Sequence, residues 1–155
     1  MQAAFSGRTD AVRFLLGNGA DATIRDGRKM SALEHATRQD DPEIIHMLIK
    51  AGADKQFSYR GITAFIMSVI NGKLKTAKAL LKYKANINAP VEAYKGRTLL
   101  MFLALRGNRS LKKVTFLLEN GADANIRFNG MTALDFARNA RFSDKVVALL
   151  EKHTK

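Results

Sequence analysis

A chain of 155 residues, 46% of them hydrophobic, is long enough for one globular domain or a short solenoid and too apolar to be disordered. It has no cysteine, which excludes disulfides, cysteine-ligated zinc and thiol catalysis, and it has no run of about 18 apolar residues that would read as a membrane span. The net charge of +12 is uneven: residues 1–54 carry 7 Lys/Arg against 8 Asp/Glu, and residues 55–155 carry 19 against 6.

That imbalance suggests an acidic partner for the later two-thirds of the chain, or a lysine-rich surface that simply stays solvated. Asp10 and Arg13 break up the amino-terminal stretch, so no signal peptide is read. With disulfides also excluded, the cell interior, cytoplasmic or nuclear, is the favoured location.

The first recurring phrase is Leu15-Leu16-Gly17-Asn18-Gly19-Ala20-Asp21. It returns as Leu48-Ile49-Lys50-Ala51-Gly52-Ala53-Asp54, as Leu80-Leu81-Lys82-Tyr83-Lys84-Ala85-Asn86 and as Leu117-Leu118-Glu119-Asn120-Gly121-Ala122-Asp123. Equivalent positions 19, 52, 84 and 121 lie 33, 32 and 37 residues apart, a period that marks a stacked-repeat architecture. Each phrase reads as a helix ending: an apolar pair closes the buried face, and glycine then takes the left-handed conformation that stops the helix. Lys84 in that slot should cost roughly 1 kcal/mol of strain.

A second recurring unit precedes each later phrase: Ser31-Ala32-Leu33-Glu34, Thr63-Ala64-Phe65-Ile66, Thr98-Leu99-Leu100-Met101 and Thr132-Ala133-Leu134-Asp135. The hydroxyl is placed to cap a helix, and Ser31 with Glu34 forms a capping-box pattern. Short helices from these caps should end near Gly72 and Gly107. Longer helices follow, with Ile44, Ile45, Leu48 and Ile49, or Ala77, Leu80 and Leu81, on one face. Hairpin-like turns such as Phe57-Ser58-Tyr59-Arg60-Gly61 and Arg127-Phe128-Asn129-Gly130 connect one phrase to the next cap. No single turn-helix-turn-helix repeat can bury its own apolar face, so stability must come from stacking.

The pattern resembles the ankyrin repeat family. Gly130-Met131-Thr132-Ala133-Leu134-Asp135-Phe136-Ala137 stands for the family's turn and inner-helix start, and Phe116-Leu117-Leu118-Glu119-Asn120-Gly121-Ala122-Asp123 for its outer-helix ending. The resemblance spans essentially the whole chain and implies an all-α solenoid of stacked helix-turn-helix units with short β-hairpin-like turns. We read residues 1–155 as one domain, with units at about 1–23 (truncated), 24–56, 57–88, 89–125 and 126–155. The truncated first unit suggests either a degenerate cap or a piece of something longer, and the polar run Glu151 to Lys155 suits a terminal cap.

Departures from the family pattern are consistent. Ala32, Ala64, Leu99 and Ala133 replace its proline, and Glu34, Ile66, Met101 and Asp135 replace its histidine, so the family's threonine–histidine hydrogen bond is missing throughout. Lys29 stands where the turn glycine is expected. The turn 89–95 and the Gly107–Gly121 interval are each two residues long relative to the pattern.

Catalytic chemistry has little to work with. His35, His46 and His153 fall in different units, with no carboxylate or second histidine at ligand spacing. Gly17-Asn18-Gly19 looks like a dinucleotide loop, but a helix rather than a strand precedes it. No cofactor or metal site is read. Lys75, Lys78 and Lys82 form one stripe of an outer helix, which reads as an ordinary solvated face because no aromatic is interleaved to stack bases.

The resemblance implies partner contacts at the turn tips and the exposed ends of the inner helices, which together line a concave groove. Carried over by position, the tips are Arg28, Met30, Tyr59, Arg60, Ile62, Tyr94, Lys95, Arg97, Phe128, Asn129 and Met131, and the helix ends include Arg38, Asn71 and Arg106. Aromatics, methionine and arginine are the residue types enriched where interface energy concentrates. The reading is therefore a non-enzymatic, monomeric protein-binding module with a basic, aromatic-studded groove for an acidic protein. The alternatives are nucleic-acid or anionic-lipid binding through the basic later region, and a recognition segment of a larger effector or enzyme.

Overall fold

Four hydroxyl side chains begin the inner helices. Ser31 Oγ accepts from Leu33 N at 3.1 Å, Thr63 Oγ1 from Ile66 N at 3.4 Å, Thr98 Oγ1 from Met101 N at 3.3 Å and Thr132 Oγ1 from Asp135 N at 3.4 Å. Each satisfies a donor that the first helical turn leaves without an intrahelical partner. Two of the residues in the family's histidine place return the favour. Glu34 Oε2 accepts from Ser31 N at 2.7 Å and Asp135 Oδ2 from Thr132 N at 2.8 Å, completing capping boxes. The other two, Ile66 and Met101, are buried in the core.

The computed structural model describes residues 1–59 and 61–154, and of Tyr59 only the backbone. Among them are ten α-helices: α1 (Gln2–Phe5), α2 (Thr9–Gly17), α3 (Ala32–Ala36), α4 (Pro42–Lys50), α5 (Ala64–Ile70), α6 (Leu74–Lys82), α7 (Leu99–Ala104), α8 (Leu111–Glu119), α9 (Ala133–Arg138) and α10 (Asp144–Glu151). None is long and apolar enough to cross a membrane. The chain divides into two compact units, residues 1–85 and 86–155.

In the 1–85 unit the short helices α1, α3 and α5 pack in a row, and the longer helices α2, α4 and α6 pack in a second row beside them. Leu33, Ile44, Ile45, Leu48, Phe65 and Leu80 are fully buried between the rows. Burial of each such side chain contributes on the order of 1.5–3 kcal/mol. Polar links tie successive repeats at the helix starts: Thr9 Oγ1 donates to Asp41 Oδ2 at 2.7 Å, Thr76 N to Asp40 Oδ1 at 3.0 Å, and Thr76 Oγ1 to the Gln39 carbonyl at 2.9 Å.

The 86–155 unit repeats the scheme with α7 against α9 and α8 against α10, over a core containing Leu99, Leu100, Met101, Leu117 and Leu150. Here Asn108 makes the polar link. Its N–H donates to the Phe142 carbonyl at 2.8 Å, its Nδ2 to Asp144 Oδ1 at 2.5 Å, and its Oδ1 accepts from Lys145 N at 3.1 Å and Val146 N at 3.3 Å.

The left-handed slots fall where the repeat places them. Gly19, Gly52 and Gly121 have φ of 80°, 91° and 92°, and Lys84 shares the conformation at 63°. Lys29, in the turn-glycine slot, is at 61°. Both lysines therefore hold a backbone that L-residues occupy at a cost.

The turns carry two short antiparallel hairpins. Strand β1 (Ser58–Tyr59) pairs with β2 (Ile62–Thr63) in the register Ser58↔Thr63, and β3 (Pro90–Val91) pairs with β4 (Arg97–Thr98) in the register Val91↔Arg97. Phe128 and Met131 form an isolated bridge at the equivalent place. The two added residues of the 89–95 turn are taken up by a 3-10 turn at Glu92–Tyr94, closed by Lys95 in the left-handed region. Those between Gly107 and Gly121 are taken up by a second 3-10 turn at Gly107–Ser110.

Candidate functional site

In the 1–85 unit, the turn before α3 and the exposed side of α5 enclose an open recess of about 390 Å³, lined by Arg28, Met30, Glu34, Phe57, Ile62, Met67, Ile70 and Asn71. Four of these, Arg28, Met30, Ile62 and Asn71, come from the sequence-derived set. Below it, Glu34 is only 2% exposed. Its Oε2 accepts from Ser31 N and faces Arg25 Nη1 at 3.5 Å, while its Oε1 is buried with no hydrogen-bond partner among the described residues. Arg25 also reaches Asp54 at 3.8 Å and lies 3.3 Å from the centroid of the Phe57 ring.

Asp26 organises the turn tip. Its Oδ1 accepts from Arg28 N at 2.8 Å and Met30 N at 3.0 Å, and its Oδ2 meets His35 Nε2 at 2.8 Å. The Met30 N–H and then His35 hold this carboxyl below the ordinary aspartate range. The fold thus supplies His35 with a carboxylate nine residues away, which linear spacing did not show. Arg38, at the end of the same inner helix, rides over the Phe5 ring at 5.2 Å.

The 86–155 unit presents a second cluster. Tyr94 stacks flat on Phe102, with centroids 3.8 Å apart and planes 3° from parallel. The Arg106 guanidinium lies 5.4 Å from the Phe102 centroid, one helical turn on. Arg97 donates from Nε to the Tyr94 carbonyl at 3.1 Å, and its guanidinium lies 5.5 Å from the centroid of Phe136. Burial pushes the Tyr94 phenol above its ordinary pKa, against the pull of Arg106. Phe128 is half-buried, and a Cβ on Gly96 would stand 3.3 Å from its ring, so this phenylalanine packs within the unit as well as facing outward. Lys95 and Asn129 are exposed at the tips, with φ of 59° and 50°.

An ankyrin-repeat family model covering three copies matches residues 1–91, and a single-repeat model matches residues 95–128. The chain belongs to the ankyrin repeat family. It is 35% identical over 107 residues to an ankyrin repeat protein of Rickettsia felis (strain ATCC VR-1525 / URRWXCal2), a match covering 68% of this chain and 34% of the relative. The matched segment therefore spans about a third of the length of that relative. Ankyrin repeats are generally protein–protein interaction modules without catalysis of their own.

Within the ankyrin frame, the sequence-derived residues divide between two clusters, one in each compact unit. Arg28, Met30, Ile62 and Asn71 meet at the recess, and Tyr94, Arg97 and Arg106 meet around Phe102 and Phe136. Phe128 and Met131 share a bridge, with Asn129 between them. The side chain of Tyr59 and all of Arg60 lie outside the described residues. Reasoning from turn tips missed Phe57, Glu34, Met67, Phe102 and Phe136. A signal was present for three of these: Met67, Phe102 and Phe136 each stand four residues after a capping threonine, at one register of the inner helix that is half-buried at Met67 and Phe102 and buried at Phe136.

Proposed function

We propose that this ankyrin domain is a non-catalytic, monomeric module, running the length of the chain, that takes an acidic protein partner through the cations at its turn tips and inner-helix ends. One observation carries the reading. Among the described residues, none of Arg28, Arg38, Lys95, Arg97 and Arg106 has a carboxylate within ion-pair distance, whereas Arg13, Arg25 and Arg138 are each paired with a glutamate. Three of the unpaired arginines rest on rings, Arg38 on Phe5, Arg97 on Phe136 and Arg106 on Phe102. A ring narrows the guanidinium's orientation without neutralising it, so the charge remains for a partner's carboxylate.

Tyr94 serves as anchor in this reading, with Phe128, Met131 and Asn129 beside it and Tyr59 and Arg60 at the corresponding earlier tip. Exposed cations of this kind steer encounter and raise on-rate more than affinity. Replacing Tyr94, Lys95, Arg97 and Arg106 with alanine should abolish partner capture in an affinity pull-down while the far-ultraviolet circular dichroism is unchanged. Retained capture would move the site to the opposite face.

A second reading rests on Lys75, Lys78 and Lys82, all exposed on α6. Binding of RNA or anionic lipid there would show a steep dependence on salt with little sequence preference. Titrating single-stranded RNA and acidic vesicles at two salt concentrations separates it from the first. Because the Rickettsia relative is about twice as long, a role as the recognition segment of a larger effector or enzyme is the third reading, tested by the full reading frame.

A further inference from the structure

We propose that the recess in the 1–85 unit is a socket for one aromatic side chain that carries a hydrogen-bond donor, a tryptophan or tyrosine of the protein partner. The inference rests on the reading of the chain as a protein-binding module and names what one part of its surface takes.

The walls are apolar and soft. Met30, Ile62 and Met67 face a space of about 390 Å³, within the ~300–1,000 Å³ typical of sites that enclose small ligands. Methionine adapts to a ring's outline and makes favourable sulfur–aromatic contacts. Glu34 also lines the space, and its Oε1 is buried with no hydrogen-bond partner among the described residues; a buried acceptor left unmatched is costly enough to call for a donor.

The charge balance selects the kind of donor. Arg25 already faces the other oxygen of Glu34, and Arg28 stands on the lining. A lysine or arginine entering would bring a further positive charge to a carboxylate that is already matched. A neutral indole N–H or phenol O–H supplies the hydrogen bond without that penalty, and the attached ring fills the walls.

The second compact unit shows what closes such a place from within. Its counterparts of Met30, Met67 and Glu34, counted from the capping hydroxyls, are Arg97, Phe136 and Met101. There Arg97 lies over the Phe136 ring, and Met101 is buried and apolar. The 1–85 unit has neither the ring nor the guanidinium at these positions, and it has a carboxylate where the other has a thioether. A ring from outside would restore the missing layer.

The test is a titration of ¹³C-methyl-methionine protein with N-acetyl-tryptophanamide, followed by methyl NMR, in a chain with six methionines and no tryptophan of its own. Saturable shifts are expected at Met30 and Met67, with Met1, Met47, Met101 and Met131 unmoved. The N1-methylated probe, which has the ring but no donor, should bind about tenfold more weakly, the effect of losing one hydrogen bond to a charged acceptor. Met67→Phe, which copies Phe136, should block the probe with the dichroism unchanged. If that variant fails to fold, the methylated probe decides alone. Silent Met30 and Met67 methyls, equal binding of the two indoles, or tighter binding of N-acetyl-lysinamide would each overturn the socket. Partner capture is measured separately, so capture with a silent recess rejects the socket alone, and probe binding by a chain that captures no protein rejects the functional reading instead.

Discussion

Gly107 and Gly72 end two inner helices in the same left-handed conformation, with φ of 62° and 74°, yet alanine should be tolerated very differently at the two. An L-residue at such a φ costs about 1–2 kcal/mol. At Gly72 no other described residue is near, since an added Cβ meets none of their atoms within 4 Å. At Gly107 the Cβ would stand 2.6 Å from the Arg141 carbonyl oxygen and 2.8 Å from that of Phe142. Both are main-chain atoms that cannot rotate away. Relief requires the 107–110 turn to back off, which loosens the hydrogen bonds Asn108 makes to Phe142, Lys145 and Val146. Each of these is worth about 1 kcal/mol net. If all three are lost, Gly107→Ala should therefore cost roughly 4–5 kcal/mol in total, against roughly 1–2 kcal/mol for Gly72→Ala. For a chain of this length that corresponds to melting points lowered by roughly 8–20 °C and 2–8 °C. Thermal and urea unfolding followed by circular dichroism read both. Equal losses for the two variants would refute the close approach at Gly107.

Lys84 holds φ at 63° while exposed on the surface, so Lys84→Gly should stabilise by roughly 1 kcal/mol, seen as a raised melting point; a lowered one contradicts the assignment. The Thr132 backbone N–H, then its hydroxyl, hold Asp135 below the ordinary carboxyl range. With the folded value depressed, its stabilisation is fully present above the unfolded value of about 3.9 and is lost as pH falls through the folded one. The urea midpoint should therefore drop below about pH 4, and Asp135→Asn should remove part of that drop; an acid limb unchanged by the substitution argues against the capping box. Alkaline titration at the phenolate absorbance should show a late step that is absent from Tyr94→Phe, because burial opposes the charge of that phenol. A late step that survives the substitution places the buried phenol elsewhere.

Much of the fold was legible because it is local. A capping hydroxyl, an apolar pair and a glycine act within one helical turn, so Ser31, Thr63, Thr98 and Thr132, and the left-handed Gly19, Gly52, Lys84 and Gly121, could be read one repeat at a time. Asp135 as a capping partner was less visible, because its shorter side chain departs from the usual Glu/Gln pattern. What stayed hidden depends on two segments meeting. The Tyr94–Phe102 stack follows from a 3-10 turn that returns the tip onto the inner helix. The Gly107 approach involves residues more than 30 positions later, and Asp26 reaches His35 only through its own turn. The recess was invisible as a volume for the same reason: it is set by how far Met30 and Met67 fall short of filling their places, and a residue-by-residue reading shows only that both are apolar.

Quantitative affinity capture by two charge-reversal variants, Arg97→Glu with Arg106→Glu, and Lys75→Glu with Lys78→Glu, decides which cations hold the partner. An acidic protein partner held by the unpaired arginines should be lost from the first variant and kept by the second. Capture that survives reversal of the arginines and disappears on reversal of the lysines would place the partner on the α6 lysine stripe instead.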